Sequence, residues 1–280
     1  MSATFPALVE KRGVAASPDG TKITYRTMGA GPGVIVVGGA LRTSEDYLPL
    51  ARALAGSCSV HLVDRRGRGA SDPQGPHYSL DREADDLLAI QAETGARLAF
   101  GHSFGGLAVL ETARRSAVFH RIALYEPGVP CEPFARGWME PYRQRLAAGD
   151  PYGAFAHFIR GSGGAPAVVT KMPYWYLRFA MRVGYRGTGW QRMRPLLEAN
   201  LAEHEQIAAR LGHLAEYAAV NVPVLILRGS RTAPAIRTQC DVLKDTLDNA
   251  VLETITGLNH FGPEGKTAPA VAEHASAFLL

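Results

Sequence analysis

Cysteine is scarce in this 280-residue chain: three residues, Cys58, Cys131 and Cys240, lie far apart with no C-x-x-C spacing. An odd number at such separations argues against a disulfide framework and against a zinc site, so reduced thiols and no metal are expected. No apolar run approaches the length of a membrane span, and Met1 to Arg12 lacks the apolar core of a secretory leader. Basic residues exceed acidic ones by only four, and they are scattered in pairs no longer than Arg65-Arg66 and Arg114-Arg115. Nucleic-acid binding would call for a dense basic face or a recognition motif, and neither is visible. These absences lead to the expectation of a soluble cytoplasmic protein that partners neither nucleic acid nor membrane, as a monomer or homodimer.

What remains is an ordinary globular balance, 46% hydrophobic and 20% charged, with enough apolar material for a substantial core. Val9–Ala16 and Lys22–Thr27 read as extended runs joined by the turn chemistry of Ser17-Pro18-Asp19-Gly20. Val34-Ile35-Val36-Val37 is a continuous β-branched run of the kind that a parallel sheet buries on both faces. Strands then alternate with helices: Ser44–Leu54 helical with Ser44 as cap, Ser59–Val63 extended, Leu80–Thr94 helical, Leu98–Phe100 extended, Phe104–Arg115 helical and Arg121–Tyr125 extended. Alternation of this length implies βαβ units, an α/β class with helices on both faces of a mostly parallel sheet.

The alternation fails from about Gly128 to Val220, a proline-containing stretch whose periodic segments all read as helices: Trp138–Ala148, Tyr152–Ile159, Tyr174–Val183 and Met193–Ala219. Beyond it Val222–Leu227 and Val251–Ile255 are extended, and Ala235–Leu247 and Thr267–Leu280 are helical. The expected organisation is a core of residues 1–128 and 221–280 interrupted by a helical insertion, 129–220.

Chemistry concentrates at Gly101-His102-Ser103-Phe104-Gly105, which follows an apolar strand and opens a helix. So sharp a junction needs small residues two before and two after the serine, whose hydroxyl then projects out of the sheet. A bare G-x-S-x-G is common in a chain with 30 glycines; the strand–turn–helix setting is what makes Ser103 a nucleophile candidate. A serine needs a base to accept its proton. Of nine histidines only His260, in the loop Thr256–Gly262 after the last strand, falls where parallel sheets place their chemistry.

The acid is missing from its commonest place: the loop Arg228–Pro234 holds no carboxylate, and Thr232 occupies the fitting position. Asp241 and Asp245 lie too far into the following helix. Glu126 ends the strand after the Ser103 helix; the proline that follows is expected to keep it extended, facing the same crevice, where it would orient His260. Oxyanion donors are expected from the backbone N–H groups of Phe104 and of Ala40, with Gly39 as the alternative, in the loop Gly38-Gly39-Ala40-Leu41. Leu41, Trp175, Phe179 and Trp190 are candidates for substrate binding, and Arg42 and Arg178 for pairing with a substrate carboxylate.

Together these residues resemble the α/β-hydrolase superfamily over nearly the whole chain, through the elbow at 101–105, the run Asp64–Asp72 that looks like its D-x-R-G-x-G-x-S-D signature, and the histidine turn at Gly257–Phe261. The resemblance implies an eight-stranded sheet, a helical cap at 129–220, no cofactor, and hydrolysis of a small to medium ester or lactone through an acyl-enzyme. It also implies that Glu126 stands where some lactone hydrolases carry their acid, and that 64–72 is structural. Gly38-Gly39 replaces the frequent His-Gly of that family. The same triad would support carbon–carbon bond hydrolysis or cofactor-free perhydrolysis, and the vacant acid position would suit a non-catalytic ligand-binding protein.

Overall fold

A computed structural model describes residues 10–165 and 167–280. Eight strands form one sheet in the order β1-β2-β4-β3-β5-β6-β7-β8. β1 (Lys11–Ala16) and β2 (Lys22–Met28) form an antiparallel hairpin, and β2 is also antiparallel to β4 (Ser59–Asp64). β3 (Gly33–Val37), β5 (Leu98–His102), β6 (Arg121–Tyr125), β7 (Val224–Gly229) and β8 (Ala250–Ile255) continue it in parallel from β4. Of the residues expected in the first strand, Val9 lies outside those described.

The β-branched runs are buried on both faces because helices cover both. Val34, Val36, Leu62, Phe100 and Tyr125 pack with Leu50 and Leu54 of α1 (Leu48–Leu54) and with Val271 and Ala275 of α11 (Ala268–Leu279). Their alternating neighbours Ile35, Val37, Ala99, Ile122 and Leu124 pack with α2 (Leu80–Thr94), α3 (Phe104–Arg115) and α10 (Pro234–Thr246) on the other face. Period-two alternation thus feeds two separate cores from one set of strands.

Between β6 and β7 the described residues form helices and no strand: α4 (Met139–Ala147), α5 (Pro151–Gly161), α6 (Ala167–Thr170), α7 (Tyr174–Gly184), α8 (Gly187–Met193) and α9 (Leu197–Ala209). They build a third cluster from Trp138, Tyr142, Phe155, Trp190 and Leu197, which Leu41 joins from the loop after β3.

Several boundaries differ from the sequence expectation for local reasons. The helix expected over Met193–Ala219 is three pieces, with a 3-10 turn at Arg194–Leu196 around Pro195 and a break at Gly212, φ +83°. The strand expected from Val222 begins at Val224, since Pro223 has no N–H for a ladder. Ser44 sits inside a 3-10 turn and is no cap; the N–H of Thr43 donates to Asp46 Oδ2 at 2.9 Å.

Candidate active site

β5 passes into α3 through Ser103, held at φ +53° and ψ −124°, a conformation that L side chains rarely adopt. The flanking glycines make the turn possible. A methyl on Gly101 would fall 2.6 Å from Cα of Gly106, and one on Gly105 would fall 2.5 Å from the carbonyl oxygens of Val37 and Gly38. The Ser103 N–H donates to the Tyr125 carbonyl at 3.1 Å, and the Ser103 carbonyl accepts from Gly106 and Gly128, each at 2.9 Å. Backbone contacts on both sides therefore hold the strain that the serine carries.

Two adjacent residues at the end of β6 govern the loop that carries His260. The Tyr125 hydroxyl donates to the carbonyl of Asn259 at 2.7 Å, fixing the loop's backbone. Glu126 Oε2 accepts from His260 Nδ1 at 2.7 Å, fixing the ring, with the carboxylate fully buried and the imidazole partly exposed. The other oxygen, Oε1, accepts the N–H of Gly229 at 2.8 Å and the hydroxyl of Thr232. Three donors thus fix both oxygens of the buried carboxylate. With its Nδ1 proton directed at Glu126, His260 keeps Nε2 free to accept a proton.

The backbone of Glu126 is not extended: its φ is +43°. The residue before a proline is disfavoured in right-handed helical space, but that rule does not decide between extended and positive φ. Tertiary contacts decide it here. The Glu126 N–H donates to Leu227 at 2.9 Å while its side chain turns to the ends of β7 and β8.

The loop after β3 is gripped from two sides. Arg65 donates from Nε to the Gly38 carbonyl and from Nη2 to the Gly39 carbonyl, each at 3.0 Å. On the opposite side the Gly39 N–H donates to Tyr47 Oη at 2.8 Å. Tyr47 Oη also lies 2.6 Å from His102 Nδ1, so the phenol links the Gly39 backbone to a buried imidazole. Burial pushes the Tyr47 phenol up and holds the His102 imidazole well below its ordinary value, so both stay neutral. Gly39 is thereby corrected as an oxyanion donor, since its N–H already has an acceptor. The N–H groups of Ala40 and Phe104 have no acceptor among the described residues. The carbonyl that Arg65 holds on Gly39 belongs to the same planar peptide as the Ala40 N–H, so the guanidinium fixes the direction of that donor.

Arg65 is itself buried between Glu83 of α2, at 2.8 Å, and Glu203 of α9, at 2.9 Å, with its guanidinium 4.9 Å over the Phe104 ring. Arg68 also pairs with Glu203. Burial alone would raise the Glu203 carboxyl, but Arg65 and Arg68 together pull it below its ordinary value. Sequence reading treated 64–72 as purely structural and missed Arg65, Tyr47 and His102. The available signal was two consecutive arginines in a signature that fixes only one.

Of the four substrate candidates two meet and two do not. Leu41, φ +57°, and Trp190 are buried in one apolar cluster, and Trp190 stacks on Tyr152 at 4.5 Å. Trp175 and Phe179 are 70% and 61% exposed on the outer side of α7, so their assignment to a substrate pocket is corrected. Arg42 and Arg178 already pair with Glu264 and Asp150, each at 2.8 Å. The Arg42–Glu264 pair ties the loop after β3 to the segment just beyond His260.

No helix among the described residues is long and apolar enough to cross a membrane, and no group of three or more metal-ligating side chains occurs among them. A family model described as "Alpha/beta hydrolase family" matches residues 34–273. An alpha/beta hydrolase from Sphaerobacter thermophilus is 29% identical, with 96% of this chain and 100% of that chain covered and a TM-score of 0.78. A thermophilic esterase from Thermogutta terrifontis is 17% identical over 96% of this chain and 98% of that one, TM-score 0.73. An enol-lactonase from Burkholderia xenovorans is 22% identical over 95% and 99%, TM-score 0.69.

Proposed function

The chain belongs to the alpha/beta hydrolase family and is a hydrolase, and from that premise we propose that it cleaves a carboxylic ester or lactone through an acyl-enzyme on Ser103. The observation that carries the reading is the 2.7 Å contact between Glu126 and His260, which supplies an acid that the loop after β7 lacks. Esterases and an enol-lactonase among the structures of the same fold support an acyl carbonyl as the target.

In this mechanism Ser103 Oγ adds to the carbonyl carbon while its proton passes to His260 Nε2. The imidazolium is stabilised by Glu126, which stays ionised. Negative charge collects on the former carbonyl oxygen, between the N–H groups of Ala40 and Phe104. His260 then gives its proton to the departing alkoxide, leaving Ser103 acylated. Water adds to the acyl carbon, its proton passes to His260, and collapse returns that proton to Ser103 and frees the acid. Residues 129–220 serve as a cap over the loops of a core made of 1–128 and 221–280, with Leu41 and Trp190 in the cluster that joins cap to core.

The test is hydrolysis of p-nitrophenyl acetate and butyrate with Ser103→Ala alongside. The variant should lose at least about 10³-fold in kcat, and a fluorophosphonate should label only the unaltered chain. Unchanged turnover or labelling in Ser103→Ala overturns the assignment.

A further inference from the structure

The residues 151–197 hold seven of the chain's 30 basic residues (Arg160, Lys171, Arg178, Arg182, Arg186, Arg192 and Arg194) and none of its 26 acidic ones. Averaged over the whole chain this imbalance disappears, which is why the composition points away from charged surfaces. In the fold it does not disappear. Arg178 pairs with Asp150 and Arg192 lies 3.8 Å from Asp46; the other five have no carboxylate partner among the described residues. Arg182 and Arg194 share the wall of one open surface depression with Arg178 and its partner Asp150, so three arginines against one carboxylate keep the charge there positive across α7 and the 3-10 turn after α8.

The same region turns apolar side chains outward. On α7, Leu177 is buried and Tyr174 and Met181 are partly so, and the helix lies along α5. Trp175, Phe179 and Val183, spaced by four, make a second apolar stripe on the side away from that contact, and all three are exposed. Tyr176 widens the stripe, and Val168 and Tyr185 on either side of the helix are exposed as well. Arg178 and Arg182 fall on the wheel between the buried and the exposed stripes. A helix with aromatic residues on one face and arginines along that face's edge has the pattern of an interfacial helix, lying in the plane of a lipid surface.

We propose that the outer face of α7, with Lys171, Arg182 and Arg186 around it, docks on an anionic phospholipid bilayer. Trp175 and Phe179 enter the headgroup boundary, and the cations meet lipid phosphates. Charge chooses this occupant over a second copy of the chain, because a symmetric dimer on this face would set two surfaces of net positive charge against each other. Protruding rings on a convex helix also fit a fluid surface, which closes around them without a preformed groove. The proposal does not depend on the reaction assigned to Ser103.

Vesicle flotation tests it, with one vesicle population of phosphatidylcholine alone and another containing a third phosphatidylglycerol. The full chain should float with the anionic vesicles at low salt, be released as salt is raised, and ignore the neutral ones. Trp138 and Trp190 are buried and Trp175 is not, so a blue shift of tryptophan emission on vesicle addition reports Trp175. Phe179→Ser with Val183→Ser should weaken binding about tenfold. Charge reversal at Lys171, Arg182 and Arg186 should abolish it, with melting curves unchanged in both variants. Three outcomes overturn the proposal: no flotation, equal flotation of the charge-reversed chain, or self-association through this face in sedimentation without vesicle binding.

Discussion

The loops at the carboxyl ends of the strands and the outer helices of residues 151–197 are built on opposite plans. Around Ser103 the polar groups are buried and interlocked: Arg65, Glu83, Glu203, Glu126, Tyr47 and His102 are all nearly inaccessible and bonded to one another or to backbone. On α7 a second apolar stripe, Trp175, Phe179 and Val183, faces outward, and of the two arginines beside it only Arg178 has a carboxylate partner among the described residues. Each plan has its own vulnerability. Inside, one substitution strands several buried polar groups; outside, one substitution changes what the surface touches and leaves the fold alone.

The largest expected effect falls on the interlocked region. Glu126→Gln keeps the shape but offers an amide where His260 and Thr232 need an acceptor, so kcat should fall by roughly 10³- to 10⁴-fold. Wild-type turnover in p-nitrophenyl ester assays would remove Glu126 from the mechanism. Next comes Arg65→Met, which leaves Glu83 buried without a cation and Glu203 with Arg68 alone. Loss of about 3–5 kcal/mol of stability is expected by chemical denaturation, and a cost under about 1 kcal/mol would show that Arg68 alone satisfies Glu203.

A pH effect of intermediate size separates the regions differently. Burial, reinforced by His260 and Arg42, keeps the His102 imidazole neutral well below its ordinary value of 6.5. As pH falls below about 6.5 the unfolded chain binds a proton at this residue and the folded chain does not, so stability declines until the depressed folded value is reached. The melting temperature should therefore drop between pH 7 and pH 5, less steeply in His102→Gln. His61, His157 and His204 are also depressed and supply the remaining slope. An identical slope in His102→Gln would contradict the buried Tyr47–His102 bond. The smallest effect is at the surface: Phe179→Ser should move stability by no more than about 0.5 kcal/mol, and a larger destabilisation would mean that α7 packs inward in solution.

The contrast also accounts for what could be read from sequence. The strands themselves and the helices on both faces of the sheet followed from β-branched runs and turn chemistry, because those signals are local, whereas the order of the strands in the sheet is set by long-range pairing. Ser103 and His260 stood out because a strand-to-helix glycine turn and a late loop are visible in one dimension. Glu126 was reached by elimination, but its positive φ was not foreseen, because its partners Leu227, Gly229 and His260 lie a hundred or more residues away. The grip of Arg65 on Gly38 and Gly39 was invisible for the same reason: residues 18 to 138 positions apart meet in it. Helical periodicity placed α7 correctly, yet an apolar stripe does not announce whether it faces a core or the outside, and Trp175 and Trp190 went opposite ways.

The hydroxyl of Thr232 bonded to Glu126 means that the charge of this site has two seats side by side. An aspartate at 232 would bring a second carboxyl against the first, and two such groups in one buried spot cannot both ionise. A chain that moved its acid from one strand end to the other could therefore pass through a stage holding both, sharing a proton, with His260 oriented throughout. Either seat alone would orient the histidine, and in this chain the carboxylate holds the one at the end of β6 while the Thr232 hydroxyl fills the other.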